Sequence, residues 1–244
     1  MRRLLPALVI LSGLAAAVGC SKHPTRAASP AAASPSPAPS SPAGVIRLFE
    51  WSWNNRDTLR PREILTDDFR FQFALGDSAG NQFRDQPMDR ERLLLCLRHL
   101  FVGGGAQPPA SSIRLVFDPV LSVQPDSRPG RDPTWHKQIL TGVDLSIRWP
   151  ASEYRVTGNA RFFVVRGDSA AIPADLVARG FGPDSTRWWI QAWWDESLVG
   201  PAAVAGPWRS RGAEARGAGP GRVLPAVNRT WGDILAAYLA SVAP

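Results

Sequence analysis

Apolar residues in the first part of the chain beyond residue 43 recur mainly with helical spacing. This spacing predicts a helix over Gly44–Asn54, a helical turn over Pro61–Leu65 that begins with Pro61, and a longer helix over Met88–Val102. Asp89 is a suitable N-cap for the longer helix. Between these helices, three phenylalanines alternate with polar residues over Thr66–Phe73, which predicts a half-buried strand.

Further along the chain the hydrophobic period changes to two. The alternation predicts strands near residues 113–117, 143–147, 154–166 and 187–196, separated in part by turn-rich loops at 126–133 and 169–185. The strand at 154–166 is apolar near its end, at Phe162–Val165, and the strand at 187–196 is apolar over most of its length, so we expect both faces of these two strands to be covered. Because no helix is predicted between these strands, we expect consecutive strands to pair antiparallel in an α+β domain.

Four tryptophans lie on the last predicted strand. Side chains alternate along a strand, so Trp188 and Trp194 are expected on one face, and Trp189 and Trp193 on the other. One pair would pack against the helices, and the other would cover the opposite side of the sheet. Aromatic walls suit an apolar or sugar-like ligand. The alternative is that these residues are large core side chains.

The N-terminus has the layout of an export signal. Arg2 and Arg3 precede an uncharged, apolar stretch that is too short to span a bilayer comfortably. The sequence Ala17-Val18-Gly19-Cys20 resembles the lipobox of bacterial lipoproteins, with Ala17 where leucine is common. The resemblance implies that residues 1–19 are removed and that Cys20 is acylated. The alternatives are an ordinary secretory signal with a chance cysteine, and an uncleaved anchor.

The lipobox resemblance also implies a location. Ser21 stands where an aspartate would indicate retention in the inner membrane, so we expect the cell envelope, with the anchor in the outer membrane and the domain facing the periplasm. Residues 20–43 are rich in Ala, Ser and Pro and have no large apolar residue. Such a segment cannot bury enough surface to fold, and we expect a disordered tether.

The C-terminal part adds an irregular linker over residues 200–228 and an amphipathic helix over 229–242. The apolar positions of this helix follow a helical period from Trp231 to Leu239. Two roles stay open at this point: the helix docks on the domain, or it binds a partner. Truncation at Arg222 followed by thermal unfolding would distinguish them.

Charge and cysteine content exclude several classes of function. The formal charge of +7 falls to +5 when Arg2 and Arg3 are removed, and the basic residues are interleaved with acidic ones, so we do not expect nucleic-acid binding. With Cys20 acylated, Cys96 is alone among leucines, which favours an inert packing role. His23, His99 and His136 form no close pair. The sequence therefore predicts neither a metal site nor a cofactor.

The order of predicted elements resembles the NTF2-like superfamily, whose members are also called SnoaL-like. The resemblance spans about residues 44–198 and rests on the first helix, the segment Ile64–Phe69, the helix at Met88–Val102 and the strand containing Trp188–Asp195. It implies a cone: a curved antiparallel sheet wrapped on N-terminal helices, here followed by a C-terminal helix. The chain departs from the pattern at 169–185 and beyond 199.

In NTF2-like enzymes an aspartate or histidine in the cone acts as acid or base. Residues that the resemblance brings to the cone are the candidates for a pocket: Asp68, Tyr154, Arg161, Trp189, Gln191 and Trp193, with His99 and Asp195 as further acid–base candidates. Asp67 and Asp68 have a simpler interpretation, in which one of them caps the turn before the strand. No pair stands at a diagnostic spacing, so we assign no catalytic residue.

Three functions are compatible with these observations. The one we favour is a non-enzymatic envelope lipoprotein, anchored to the membrane, whose NTF2-like domain binds a small apolar ligand or a partner protein. The second is an NTF2-like isomerase, cyclase or dehydratase that acts on a small hydrophobic substrate. The third is an assembly subunit that forms a homodimer through its sheet.

Overall fold

The computed structural model describes residues 35–77, 81–83, 87–167, 174–197 and 227–239. The described residues from 36 onward belong to one compact unit, which contains every described helix and strand. The predicted export signal, Cys20 and most of the tether lie outside the described residues, as does the predicted linker up to residue 226.

Five α-helices are described: α1 (Pro42–Asn55), α2 (Leu59–Ile64), α3 (Arg90–Phe101), α4 (Ala174–Ala178) and α5 (Trp231–Leu239); a short 3-10 helix spans Asn81–Phe83. The first helix starts two residues before the predicted Gly44, because Ser41 accepts a hydrogen bond from the Gly44 amide and Pro42 suits the first turn. Asp89 caps α3 as predicted, with its carboxylate accepting from the amide of Arg92 at 2.9 Å. The loop predicted over 169–185 contains α4, which sequence reasoning did not anticipate.

Among the described residues, eight strands form one sheet: β1 (Leu65–Gln72), β2 (Met88–Asp89), β3 (Ser112–Phe117), β4 (Ser122–Pro125), β5 (His136–Trp149), β6 (Ser152–Arg166), β7 (Trp188–Ser197) and β8 (Val227–Asn228). Their order is β2-β1-β7-β6-β5-β3, with β4 on β5 and β8 on β6. The predicted α+β class is confirmed: the sheet is curved and open, and a C-terminal helix follows it.

The central strands pair antiparallel, as expected for consecutive strands. Two pairings are parallel, between β1 and β7 and between β6 and β8. In the first of these pairs, β1 lies beside β7, the last long strand. The two partners are therefore separated in sequence by all the other long strands of the sheet. Local sequence patterns do not report such non-local pairings.

A bulge in β7 overturns the predicted faces of the tryptophans. Val164 pairs with Ile190 and Phe163 pairs with Ala192, so Gln191 is the extra residue. Trp188 and Trp193 therefore share the main core with the helices, while Trp189 and Trp194 lie on the opposite face. The predicted grouping of Trp188 with Trp194, and of Trp189 with Trp193, is wrong because one inserted residue reverses the alternation.

The main core fills the space between the sheet and α1, α3 and α5. Both faces of β6 and β7 are covered, as predicted: Phe162 belongs to the main core, and the adjacent Phe163 is 1% exposed on the other face. On that face Trp189 packs with Val165 and Leu176 in a small second cluster that α4 helps to close. The unpredicted helix therefore has a packing reason.

Candidate functional site

The interior between sheet and helices is lined by aromatic rings. Phe49 and Trp53 from α1 meet Phe71 from β1 and Trp193 from β7, and all four are at most 1% exposed. The ring of Trp231, at the start of α5, enters between Trp53 and Trp193. Its centroid lies 4.7 Å from that of Trp53 and 4.5 Å from that of Trp193, with edge-to-face angles of 85° and 90°.

The first turn of α5 is closed by a reciprocal cap. The amide of Asp233 donates to the Thr230 hydroxyl at 2.9 Å, and the amide of Thr230 donates to the Asp233 carboxylate at 3.4 Å. This is a capping box with aspartate in the place usually taken by glutamate. It fixes the point at which the chain turns to insert Trp231.

Two buried carboxylates hold this first turn against the domain. The Thr230 hydroxyl donates to Asp77 at 2.5 Å, and the Gly232 amide donates to Asp195 at 3.2 Å. Asp77 is 2% exposed and Asp195 is 4% exposed. Amide groups at a helix N-terminus are unpaired within the helix and carry partial positive charge, so they favour carboxylates at this position. We call Asp77, Asp195, Thr230 and Gly232 the aspartate latch.

Asp195 is chemically unusual within this latch. Burial is the largest influence and raises its pKa from 3.8 to about 6, opposed by hydrogen bonds from Ser197 and Gly232. The nearby Asp77 raises the pKa further by charge repulsion. A carboxyl group with a pKa near neutrality suits proton transfer. Both of its oxygens, however, already accept hydrogen bonds, from Ser197 and from Gly232.

The structure distributes the six sequence-predicted pocket residues over several places. Trp193 lines the aromatic interior, whereas Trp189 lies in the small cluster on the other face. Arg161 is paired with Glu196 at 2.8 Å. Tyr154 packs against Trp149, with 4.9 Å between ring centroids and 58° between ring planes, and its pKa is raised mainly by burial.

The remaining two predicted residues, Asp68 and Gln191, meet on the sheet face opposite the helices. The Gln191 amide donates to Asp68 at 2.7 Å and accepts from Arg128 at 3.2 Å. Arg128 also pairs with the buried Asp126 at 2.7 Å, and its guanidinium lies 3.9 Å from the centroid of the Phe163 ring. These contacts tie the loop containing Arg128 to the β7 bulge, which gives the group a structural role.

Sequence reasoning missed the residues that make up most of the interior site. Trp53 and Trp231 are more than 170 positions apart, and Asp77 and Thr230 are also distant in sequence. The capping pattern Thr230-x-x-Asp233 before an apolar run was the one local signal available. His99, an acid–base candidate, is buried on α3, and its Nδ1 has no hydrogen-bond partner among the described residues.

Within the described residues, no group of three or more His, Cys, Asp or Glu is placed to hold a metal ion. None of the helices described here combines the length and the apolar character needed to cross a bilayer.

Comparisons with known proteins give similarities of fold. A protein of Kribbella flavida is 16% identical with a TM-score of 0.43; the match covers 64% of this chain and 90% of that one. An NTF2-like protein of Rhodospirillum rubrum is 12% identical with a TM-score of 0.41, covering 64% and 98%. An NTF2-like superfamily protein of Salmonella enterica is 11% identical with a TM-score of 0.40, covering 66% and 92%.

No protein-family model matches the sequence, and no curated protein matches it. Two of the similar structures belong to the superfamily that the sequence resembles. At these identities and TM-scores the similarity concerns the fold alone.

Proposed function

We propose that this protein is a lipid-anchored envelope protein whose NTF2-like domain binds an apolar ligand in its aromatic interior, with α5 as the closing element. The observation that carries the proposal is the position of Trp231. A flat aromatic side chain from the C-terminal helix occupies a slot between Trp53 and Trp193, so the slot has the size and chemistry for an aromatic group. A ligand or an apolar partner segment would take that slot when α5 leaves it.

The slot also favours a particular chemistry of ligand. The buried indole nitrogens of Trp53 and Trp193 have no hydrogen-bond partner among the described residues. A buried donor without a partner costs free energy, and a ligand acceptor placed against it removes that cost. The proposed ligand is therefore a flat apolar molecule with a hydrogen-bond acceptor, rather than a pure hydrocarbon.

The test opens the slot by substitution and refills it from solution. Trp231→Ala in the chain beginning at Ser21 leaves an indole-sized cavity, and apolar cavities of this kind bind small aromatic molecules. We expect quinoline to raise the thermal midpoint of this variant more than naphthalene, which has the same shape without an acceptor. Trp135→Ala, which removes a tryptophan that is 41% exposed, is the matched control.

Two results would count against ligand binding. If neither molecule shifts the midpoint of a folded Trp231→Ala variant, the interior is a closed core and not a site. The second result would come from native mass spectrometry. If neither the variant nor wild type carries a co-purified small molecule, and wild type forms a stable dimer, the function is better explained as that of an assembly subunit.

A second candidate is an NTF2-like enzyme acting on a small hydrophobic substrate, and one observation favours it. Asp195 is a buried acid with a pKa of about 6 at the edge of the aromatic interior, as a general acid or base requires. With α5 withdrawn, its Oδ2 would lose the Gly232 amide and could reach a substrate. Asp195→Asn that still binds a small hydrophobic substrate with wild-type affinity, but no longer converts it, would support this candidate.

The lipid anchor is proposed from the lipobox resemblance alone. Two or three acyl chains on Cys20 hold a protein on a membrane far more firmly than one. Metabolic labelling with a radiolabelled fatty acid should mark the wild-type chain and not Cys20→Ala. Equal labelling of the two would remove the anchor from the proposal without affecting the aromatic interior.

A further inference from the structure

The N-terminal segment joins the domain at one definable place. The carbonyl of Pro39, just before α1, accepts a hydrogen bond from the amide of Trp188 at 2.8 Å. Trp188 is the first residue of β7, so the proposed tether leaves the domain beside the start of that strand. The surface around this point is the part of the domain that the tether holds nearest to its anchor.

Several arginines lie on this surface. The buried carboxylate of Glu63 forms ion pairs with Arg60 at 2.7 Å and with Arg179 at 3.1 Å, and Arg187 donates to the Glu63 carbonyl at 2.8 Å. The side chains of Arg60 and Arg179 are 42% and 45% exposed. Arg166 lies on the same side, since the amide of Gly167, the next residue, donates to the Arg187 carbonyl at 2.8 Å.

Apolar side chains project among these arginines. Leu59 precedes Arg60 and is 60% exposed, and Val177 lies two positions before Arg179 and is 53% exposed. Arg166, which donates to the Ser185 carbonyl, places its guanidinium over the ring of Trp135. We call this connected surface, made of Leu59, Arg60, Trp135, Arg166, Val177 and Arg179, the arginine end. Arg187 is only partly exposed, and its guanidinium lies over the rings of Phe181 and Trp189.

We propose that the arginine end lies on the membrane and binds the headgroups of anionic phospholipids. Exposed guanidiniums attract anionic headgroups, while tryptophan and short apolar side chains enter the interface between headgroups and acyl chains. The inference extends the proposed lipid anchor, because the tether would bring this surface to the bilayer. Pro39 lies nineteen positions after Cys20, a reach of at most about 60 Å in an extended proline-rich chain.

The test uses unacylated chain beginning at Ser21, which keeps every described element, with vesicles of phosphatidylcholine alone or mixed with phosphatidylglycerol. We expect sedimentation with the mixed vesicles only, and release as salt screens the charges. Arg60→Gln combined with Arg179→Gln should weaken binding roughly 5-fold per arginine. The control combines Arg148→Gln with Arg155→Gln, two arginines that are also exposed and ion-paired, elsewhere on the sheet.

Several outcomes would overturn the proposal. One is binding to both vesicle types alike, and another is an equal loss in the test and control pairs. Displacement by millimolar inorganic phosphate would show a soluble-anion site instead of a membrane surface. Trp135→Ala, which keeps every charge but removes the ring beneath the Arg166 guanidinium, provides a second variant: it should weaken vesicle binding, and unchanged binding would count against insertion of Trp135 into the membrane. Because the chain carries no lipid, these results are independent of whether Cys20 is acylated.

Discussion

The indole rings of Trp193 and Trp231 lie edge to face, with their centroids 4.5 Å apart and their planes at 90°. One ring belongs to the last long strand of the sheet and the other to the C-terminal helix. This contact joins the C-terminal helix to the centre of the core. The C-terminal helix is therefore docked in this structure, which was one of the two roles left open by the sequence.

Removal of the Trp231 ring should be among the most destabilising substitutions in the chain. Trp231 is fully buried, so Trp231→Ala removes its transfer free energy and leaves a cavity, at a cost of about 3–5 kcal/mol. Urea unfolding followed by circular dichroism measures this loss. Trp135→Ala, at an exposed position, should cost far less. Similar losses in the two variants would contradict the docked position of α5.

Stability should depend on the protonation of Asp195. Its pKa is raised above the unfolded value, so the folded state binds this proton more tightly, and the contribution is present at low pH and is lost as pH rises through about 6. The difference amounts to about 3 kcal/mol at most. Urea unfolding at several pH values between 4 and 7 should show this slope in wild type and a smaller slope in Asp195→Asn. Equal slopes in wild type and Asp195→Asn would show that protonation of Asp195 does not cause the pH dependence of stability.

Gly232 lies in a helix at a position that has no room for a side chain. An added Cβ would lie 2.1 Å from the Asp77 carboxylate and 2.4 Å from the Phe73 ring. Gly232→Ala should therefore destabilise the protein, although alanine is favoured over glycine by about 1 kcal/mol within a helix. Gly182→Ala is the control, since nothing lies within 4 Å of its added Cβ. A thermal midpoint for Gly232→Ala above that of wild type would show that Asp77 and Phe73 move aside at little cost, and would contradict this prediction.

Cys96 should report whether α5 is docked. Its thiol is buried, which raises its pKa to about 12, and its Sγ lies 3.4 Å from the Leu235 carbonyl of α5. In the chain from Ser21 it is the only cysteine. We expect slow modification by a thiol-reactive dye in wild type and much faster modification after truncation at Arg222, because the thiolate is the reactive form. Equal rates in the two folded proteins would contradict cover by α5.

The sequence by itself determined the elements that depend on local spacing. Helical periodicity located α1, α3 and α5, and alternation located β3, β5, β6 and β7, because each segment must present one apolar face or two to a core. The cap at Asp89 followed from the chemistry of a single residue. The NTF2-like resemblance came from the order of these elements along the chain.

Tertiary structure decided where side chains meet. The bulge at Gln191 sends Trp193 into the core and Trp189 to the other face, and no periodicity reveals one extra residue in a strand that carries tryptophans on both faces. Pairing of β1 with β7 and docking of Trp231 against Trp53 join residues far apart in the chain. Contacts of this kind depend on closure of the whole sheet, so the aspartate latch and the arginine end emerged only once the chain was folded.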